Sequence, residues 1–213
     1  NRMLKLSELG EYDIIISEIG GTGGDIESLP FLEAMRQLML QFGRANTMNI
    51  HVTLVPYIAS AGEVKTKTTQ HSVKNLLELG IQPDVLICRS EKKLSRDLRD
   101  KIALFCNVAS KAVISNYDSS SIYEVPLVLH KEKFDQIVLE RLHLPDKKIN
   151  IENWEDFVEG IKNPEQQVEI ALCGKYVEHM DAYKSIMESF VHAGAENKCK
   201  VIVRPISAET LES

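Results

Sequence analysis

Two polar stretches of this chain have residue types and spacing that suit nucleotide chemistry. The first runs Glu18-Ile19-Gly20-Gly21-Thr22-Gly23-Gly24-Asp25-Ile26-Glu27-Ser28-Leu29-Pro30. Its four glycines permit close approach of backbone to a ligand, and the helix expected from near Pro30 offers unpaired N–H groups at its start. Three carboxylates, Glu18, Asp25 and Glu27, stand in the same turn. Amides and acids together suit a nucleotide whose phosphates arrive with a divalent metal, whereas a tight turn with solvated acids is the plainer alternative.

The second stretch is Gly62-Glu63-Val64-Lys65-Thr66-Lys67-Thr68-Thr69-Gln70-His71-Ser72. Two lysines and three threonine hydroxyls just before a helix start make a phosphate grip, in which ammonium charge adds to backbone amides. A solvated polar loop is the alternative for this segment taken alone.

The elements that must position these stretches alternate between strand and helix. An apolar run predicts a buried strand over Tyr12–Ile19, and the spacing of Leu32, Met35, Leu38 and Met39 predicts a helix over Leu29–Phe42. A strand over Ile50–Tyr57 is followed by a helix over Gln70–Leu79, with Gly80 in the C′ position. A strand over Asp84–Cys88 precedes a helix capped by Ser95, with Leu98, Ile102 and Phe105 on its apolar side; a short strand follows over Ala112–Ser115. This order implies an α/β fold, a parallel sheet with helices on both faces and ligands at the carboxyl ends of its strands. Both polar stretches are therefore expected to converge on one cleft.

The pattern changes after Leu142. Residues 143–166 read as a connector, with Pro145, Lys147-Lys148, a short helix around Trp154–Ile161 and Asn163-Pro164. A new unit follows: strand Val168–Cys173, turn Gly174-Lys175-Tyr176, helix Asp181–Ala193 and strand Lys200–Pro205. Two strands and one helix cannot bury a core alone, so the chain is expected to end inside its second domain.

Composition narrows the function classes. The 213 residues carry a net charge of −6 with no basic block, which disfavours nucleic acid and anionic membranes as partners. The longest apolar runs are strand-sized, and no secretory signal is visible. The four cysteines are far apart and the six histidines scattered, so neither a disulfide framework nor a zinc site is expected. This cysteine usage points to a cytoplasmic protein.

Across these segments the chain resembles the CTP synthase family. EIGGTGGDIESLPFLEAMR (residues 18–36) and YIASAGEVKTKTTQHSVKNLLELGIQPDVLICRS (residues 57–90) are similar to its signature segments. The likeness continues through Asp100–Val108 (DKIALFCNV) and Ser121–Pro126 (SIYEVP), then Cys173–Glu178 (CGKYVE) and Asp181–Ser185 (DAYKS). The resemblance implies a phosphate-loop amidoligase domain over residues 1–142, a linker over 143–166 and the first βαβ of a class I glutaminase-like domain over 167–213. It implies amination of UTP to CTP: ATP phosphorylates the uracil O4 with magnesium as cofactor, and ammonia from glutamine displaces the phosphate at C4. It further implies a homotetramer with GTP as activator.

The resemblance also assigns roles. Glu18 matches a magnesium ligand, and Asp25, Ile26 and Glu27 match a segment contacting inhibitory CTP. Lys65, Thr66, Lys67, Thr68, Thr69 and Gln70 match a UTP/CTP loop supplied across the tetramer interface, and Lys101 matches a further UTP/CTP contact. Tyr117, Asp118 and Ser119 occupy the place of an ATP adenine-side loop. Two residues depart from the family. Gly23 replaces the usual Val, loosening the turn, and Thr68 replaces the Pro of KTKPTQ, adding an N–H and freeing φ.

No G-x-x-x-x-G-K-[ST] loop and no G-x-C-x-G elbow occurs in the chain; in the family they lie upstream and downstream of it. Cys173 lacks the elbow's flanks and reads as structural. No catalytic residue is assigned within the chain, and the fragment alone is expected to be inactive. The alternatives are a non-catalytic CTP/UTP-binding or assembly module and an amidoligase of the dethiobiotin synthetase type.

Overall fold

The computed structural model describes residues 4–21, 25–145 and 149–211, and the chain divides into two compact units. The first comprises residues 1–119 and 128–146, the second residues 120–127 and 147–213. In chain order the elements are α1 (Leu29–Phe42), β1 (Ile50–Leu54), β2 (Tyr57–Ile58), β3 (Glu63–Val64), α2 (Lys67–Glu78), β4 (Val85–Ser90) and α3 (Arg96–Cys106). Then come β5 (Val113–Tyr117), α4 (Val125–Lys131), α5 (Phe134–Arg141), α6 (Glu152–Lys162), β6 (Gln166–Gly174), α7 (Lys184–Glu196) and β7 (Cys199–Ser207).

The first unit is built on a parallel sheet of order β1-β4-β5. Strand periodicity sends alternate residues of β4 to opposite faces. Leu86 and Cys88 pack with Val55, Val73, Ile102, Cys106 and Val113, under α2 and α3. Val85 joins Ile114 and Ala112 on the other face, covered by Leu129, Phe134 and Ile137. The expected α/β sheet with both faces covered is present.

Local signals placed two helix ends. Gly80 adopts φ +77°. Its N–H donates to Leu77 O at 2.9 Å and that of Ile81 to Leu76 O at 2.9 Å, the paired bonds of a Schellman motif. Leu76 and Ile81 then pack together, completing the motif's apolar contact. Ser95 caps α3 as expected, its Oγ accepting from Leu98 N–H at 3.3 Å.

Three expectations change. Residues 12–19 are extended in sequence character but form no strand, and Ile16 is 91% exposed. An apolar run becomes a strand only where another backbone pairs with it, and none among the described residues does. The strand expected to Tyr57 stops at Leu54: Pro56 has no N–H to give, and its carbonyl accepts from Lys65 N–H at 2.9 Å. The two-residue ladder of β2 and β3 follows, antiparallel, pairing Tyr57 with Val64 and Ile58 with Glu63. Finally, α2 begins at Lys67 rather than Gln70, so part of the expected polar loop is helix.

In the second unit β6 and β7 pair in parallel, with α6 and α7 among its elements. Helix α6 falls within the segment read from sequence as a connector; Lys147 and Lys148 lie outside the described residues. The excursion of residues 120–127 is fastened inside this unit. Trp154 Nε1 donates to Tyr123 O at 2.8 Å, Lys162 Nζ pairs with Glu124 at 3.0 Å, and the Tyr123 ring meets Phe157 edge-on at 5.2 Å.

Candidate functional site

The glycine-rich turn forms a concave pocket of about 310 Å³ lined by Glu18, Ile19, Gly20, Gly21, Asp25, Glu27, Ser28 and Phe31. Thr22, Gly23 and Gly24 lie outside the described residues, so the expected loosening at Gly23 falls there too. Gly21 is needed locally for its backbone conformation, whereas a Cβ at Gly20 would make only ordinary contact. Gly21 holds φ +91°, and a Cβ there would stand 3.4 Å from Asp25 Oδ2; at Gly20 it would stand 3.5 Å from Glu18 Oε1. Both carboxylates thus lean over backbone that carries no side chain.

The start of α1 does not offer the free amides expected of it. The N–H of Ser28 donates to Asp25 O at 3.0 Å and that of Leu29 to Ile26 O at 3.4 Å. Pro30 has no N–H, Phe31 N–H returns to Ser28 O at 3.0 Å, and the Ser28 hydroxyl donates to Asp25 O at 2.8 Å. Turn bonds have absorbed these donors before a ligand could. The pocket's character is therefore acidic, favouring a cation or a metal-bearing nucleotide over a bare phosphate. Among the described residues no group of three or more His, Cys, Asp or Glu side chains is arranged to hold a metal by itself. The carboxylate oxygens of Glu18, Asp25 and Glu27 are nonetheless the hard donors that magnesium takes, usually one or two at a time with water and phosphate.

The second stretch is divided by burial. Thr69 is fully buried and Thr66 nearly so. The Thr69 hydroxyl donates to Leu54 O at 3.3 Å and accepts from Thr53 Oγ1 at 3.2 Å, tying the start of α2 to the carboxyl end of β1. Thr68 Oγ1 likewise donates to Leu54 O at 3.2 Å, and Gln70 Nε2 to Thr66 Oγ1 at 3.2 Å. Lys67 is exposed. Lys65 is half-buried and ion-paired with Glu63. The Lys65 hydrogen bond, then its charge and that of Lys101 on α3, hold the Glu63 carboxyl below the usual range. Glu63, on which Lys101 acts through charge alone, is thus the partner of Lys65 that sequence reasoning missed. Its signal was the period of two from Glu63 to Lys65 along an extended chain.

Tyr117 ends β5, and Asp118 and Ser119 follow it. Tyr117 pairs in register with Ser90, Asp118 N–H donates to Ser90 O at 2.9 Å, and Ser119 Oγ donates to Tyr117 O at 3.4 Å. They stand at the carboxyl edge of the sheet, as does the start of α2.

The glycine turn does not join them. Ile19 packs against the cluster of Leu32, Leu76 and Ile81, and so belongs to the C-terminal end of α2, whereas Lys65–Gln70 makes its N-terminal end. The nine steps from Lys67 to Leu76 rise roughly 14 Å along a helix. None of residues 62–72 lines the acidic pocket. The single cleft expected within one chain is replaced by two sites, because residues 12–19 are not a strand of the sheet.

A family model described as CTP synthase N-terminus matches residues 1–144. The chain is 60% identical over 213 residues to the CTP synthase of Chloroherpeton thalassium, covering 99% of this chain and 38% of that protein. It is 56% identical over 219 residues to that of Chlorobium luteolum, covering 100% and 36%, and 53% over 214 residues to that of Flavobacterium johnsoniae, covering 100% and 40%. The chain spans about two-fifths of the length of these curated relatives.

Proposed function

This chain belongs to the CTP synthase family, and on that premise we propose that its natural polypeptide aminates UTP to CTP with ATP and glutamine. In this reading ATP passes its γ-phosphoryl group to the uracil O4, turning a poor leaving group into phosphate. Ammonia released from glutamine attacks C4, the C4–O4 bond breaks, phosphate departs, and a proton is lost from the new amine.

The observation that carries the reading is the Lys65–Glu63 pair just ahead of the start of α2, which Thr69 ties to the carboxyl end of β1. Lys65 offers charge for a triphosphate, Lys67 adds a second, exposed cation on the next turn, and Lys101 of α3 is read as a further contact. Thr66 and Thr69 serve from inside, fixing where that turn begins. Asp118 and Ser119, at the adjoining strand end, are placed to border a second nucleotide, ATP.

Glu18 is assigned to hold magnesium, with Asp25 and Glu27 beside it toward product CTP. The acidic lining and the room left by Gly20 and Gly21 fit such a group. When bound, magnesium neutralises charge developing on the transferred phosphoryl oxygens. Residues 167–213 are read as the opening of a glutaminase domain, with residues 143–166 as the linker. A homotetramer activated by GTP in the cytoplasm completes the proposal. The acid pocket and the lysine cluster lie at opposite ends of α2, which favours an assembly in which neighbouring copies complete each other's sites.

The test is CTP formation by the natural polypeptide from UTP, ATP and glutamine or ammonium, with and without Glu18→Ala. Loss of CTP in that variant, recovered in part by raised magnesium, is expected. Unchanged CTP formation in Glu18→Ala removes the metal assignment, and no CTP from the unmutated polypeptide removes the reading itself.

A further inference from the structure

We propose that Glu63 is a positioning residue of the pyrimidine-nucleotide site, an internal counter-anion that holds Lys65 in place and is displaced by the arriving triphosphate. The inference rests on the preceding assignment of Lys65 to UTP and CTP, and deepens it.

Glu63 is held by backbone. It pairs with Ile58 in the β2–β3 ladder, and the turn before it closes through Gly62 at φ +63°. Lys65, two residues on, returns to the same side of the extended chain. Its own N–H is fixed to Pro56 O at 2.9 Å, so the two side chains leave neighbouring anchored points and meet as an ion pair. The Glu63 and Lys65 side chains remain 55% and 43% exposed. The pair faces solvent, where a ligand can exchange with it.

The electrostatics run in one direction. When no nucleotide is present, the Glu63 carboxylate offsets the charge of the Lys65 ammonium and holds it in place. The depressed Glu63 carboxyl, with Lys65 the first cause and Lys101 a further one, keeps the carboxylate charged at neutral pH. Once a triphosphate occupies Lys65, the same carboxylate is a like charge beside phosphate oxygens. Glu63 therefore pre-aligns Lys65 and weakens nucleotide binding at once. It keeps the site exchangeable between substrate and product, which carry the same triphosphate.

The proposal predicts that deleting the charge while keeping the shape tightens binding. In the natural polypeptide, Glu63→Gln is expected to lower the UTP dissociation constant about two- to five-fold at low salt, the range open to a solvent-facing pair. The gain should shrink toward none as ionic strength rises, and Glu63→Asp should stay close to the unmutated protein. A purely structural glutamate predicts the opposite sign, since its loss would disorder Lys65 and loosen UTP. Titration calorimetry of the three proteins with UTP at two salt concentrations decides it. UTP binding in Glu63→Gln that is unchanged or weaker overturns the proposal. A wild-type protein that binds no UTP overturns the assignment of Lys65 as well, a result distinct from the first.

Discussion

The Tyr123 hydroxyl donates to Glu188 Oε2 at 2.6 Å, joining two residues 65 positions apart within the second unit. His192 Nε2 lies 2.6 Å from the same oxygen, which accepts from it once the phenol proton is committed to Glu188. This pair of bonds, with the Trp154 and Phe157 contacts, fastens residues 120–127 into the second unit immediately after Tyr117, Asp118 and Ser119.

The Glu188 hydrogen bond is the largest cause pushing the Tyr123 phenol up to about 12 from its usual 10, and burial and the Glu188 charge act the same way. The neutral phenol is thus favoured in the folded protein. Its contribution to stability is complete below pH 10 and is lost as the pH rises from 10 through 12, because the unfolded chain ionises first. Tyr123→Phe should cost less than about 1 kcal/mol, because the group is only partly buried and solvent screens its hydrogen bond. It should also remove that alkaline dependence from the urea midpoint measured between pH 9 and 12.

Glu132 is a firmer anchor. Its side chain is 5% exposed and pairs with Arg99 Nη1 at 2.5 Å and Lys93 at 3.1 Å. Burial alone would raise its carboxyl, but the hydrogen bonds and charges of Arg99 and Lys93 outweigh it and leave it lowered. The stabilisation is therefore present above pH 4.5 and falls away as the pH drops below that value. Glu132→Gln should cost roughly 2 kcal/mol, since Arg99 is left partly buried without its anion. Denaturant unfolding at pH 7 and pH 3 checks both points, with the variant and the parent converging at the lower pH.

Thr69→Val keeps the volume of a fully buried side chain while removing its hydroxyl. Thr53 Oγ1 loses its acceptor there, so a loss of about 1–2 kcal/mol is expected. On the proposed function the same change should weaken UTP binding, because the start of α2 loses one of its two hydroxyl ties to Leu54, keeping only that of Thr68. Unaltered unfolding in Thr69→Val would show that the tie is not needed.

The cysteines should separate by reactivity. Burial is the main cause pushing the Cys88 and Cys106 thiols up to about 12 and about 11. Cys173 is exposed and Cys199 partly so. Thiolates carry the reaction, so a thiol reagent at pH 7.5 should label Cys173 and Cys199 quickly and the other two only on unfolding. Peptide mapping after a timed pulse reads the order. Early labelling of Cys88 would contradict the packed core between β4 and the helices α2 and α3.

Sequence alone determined what depends on neighbours a few residues away. The alternation of β and α, the Gly80 helix end, the Ser95 cap and the two nucleotide-type stretches were all legible, because caps and periodicity are set within one or two turns. Tertiary structure decided what depends on distant partners. Residues 12–19 have strand composition but no backbone beside them among the described residues, so no strand forms. Thr66 and Thr69 look like their exposed neighbours in the sequence, yet the helix start turns both inward, Thr69 onto Thr53 and Leu54. The packing of Ile19 on the far end of α2 separated two stretches that composition had placed together. The pairing of Glu63 with Ile58 in the β2–β3 ladder set it against Lys65, where a carboxylate with no evident chemistry of its own acquires a place in the site.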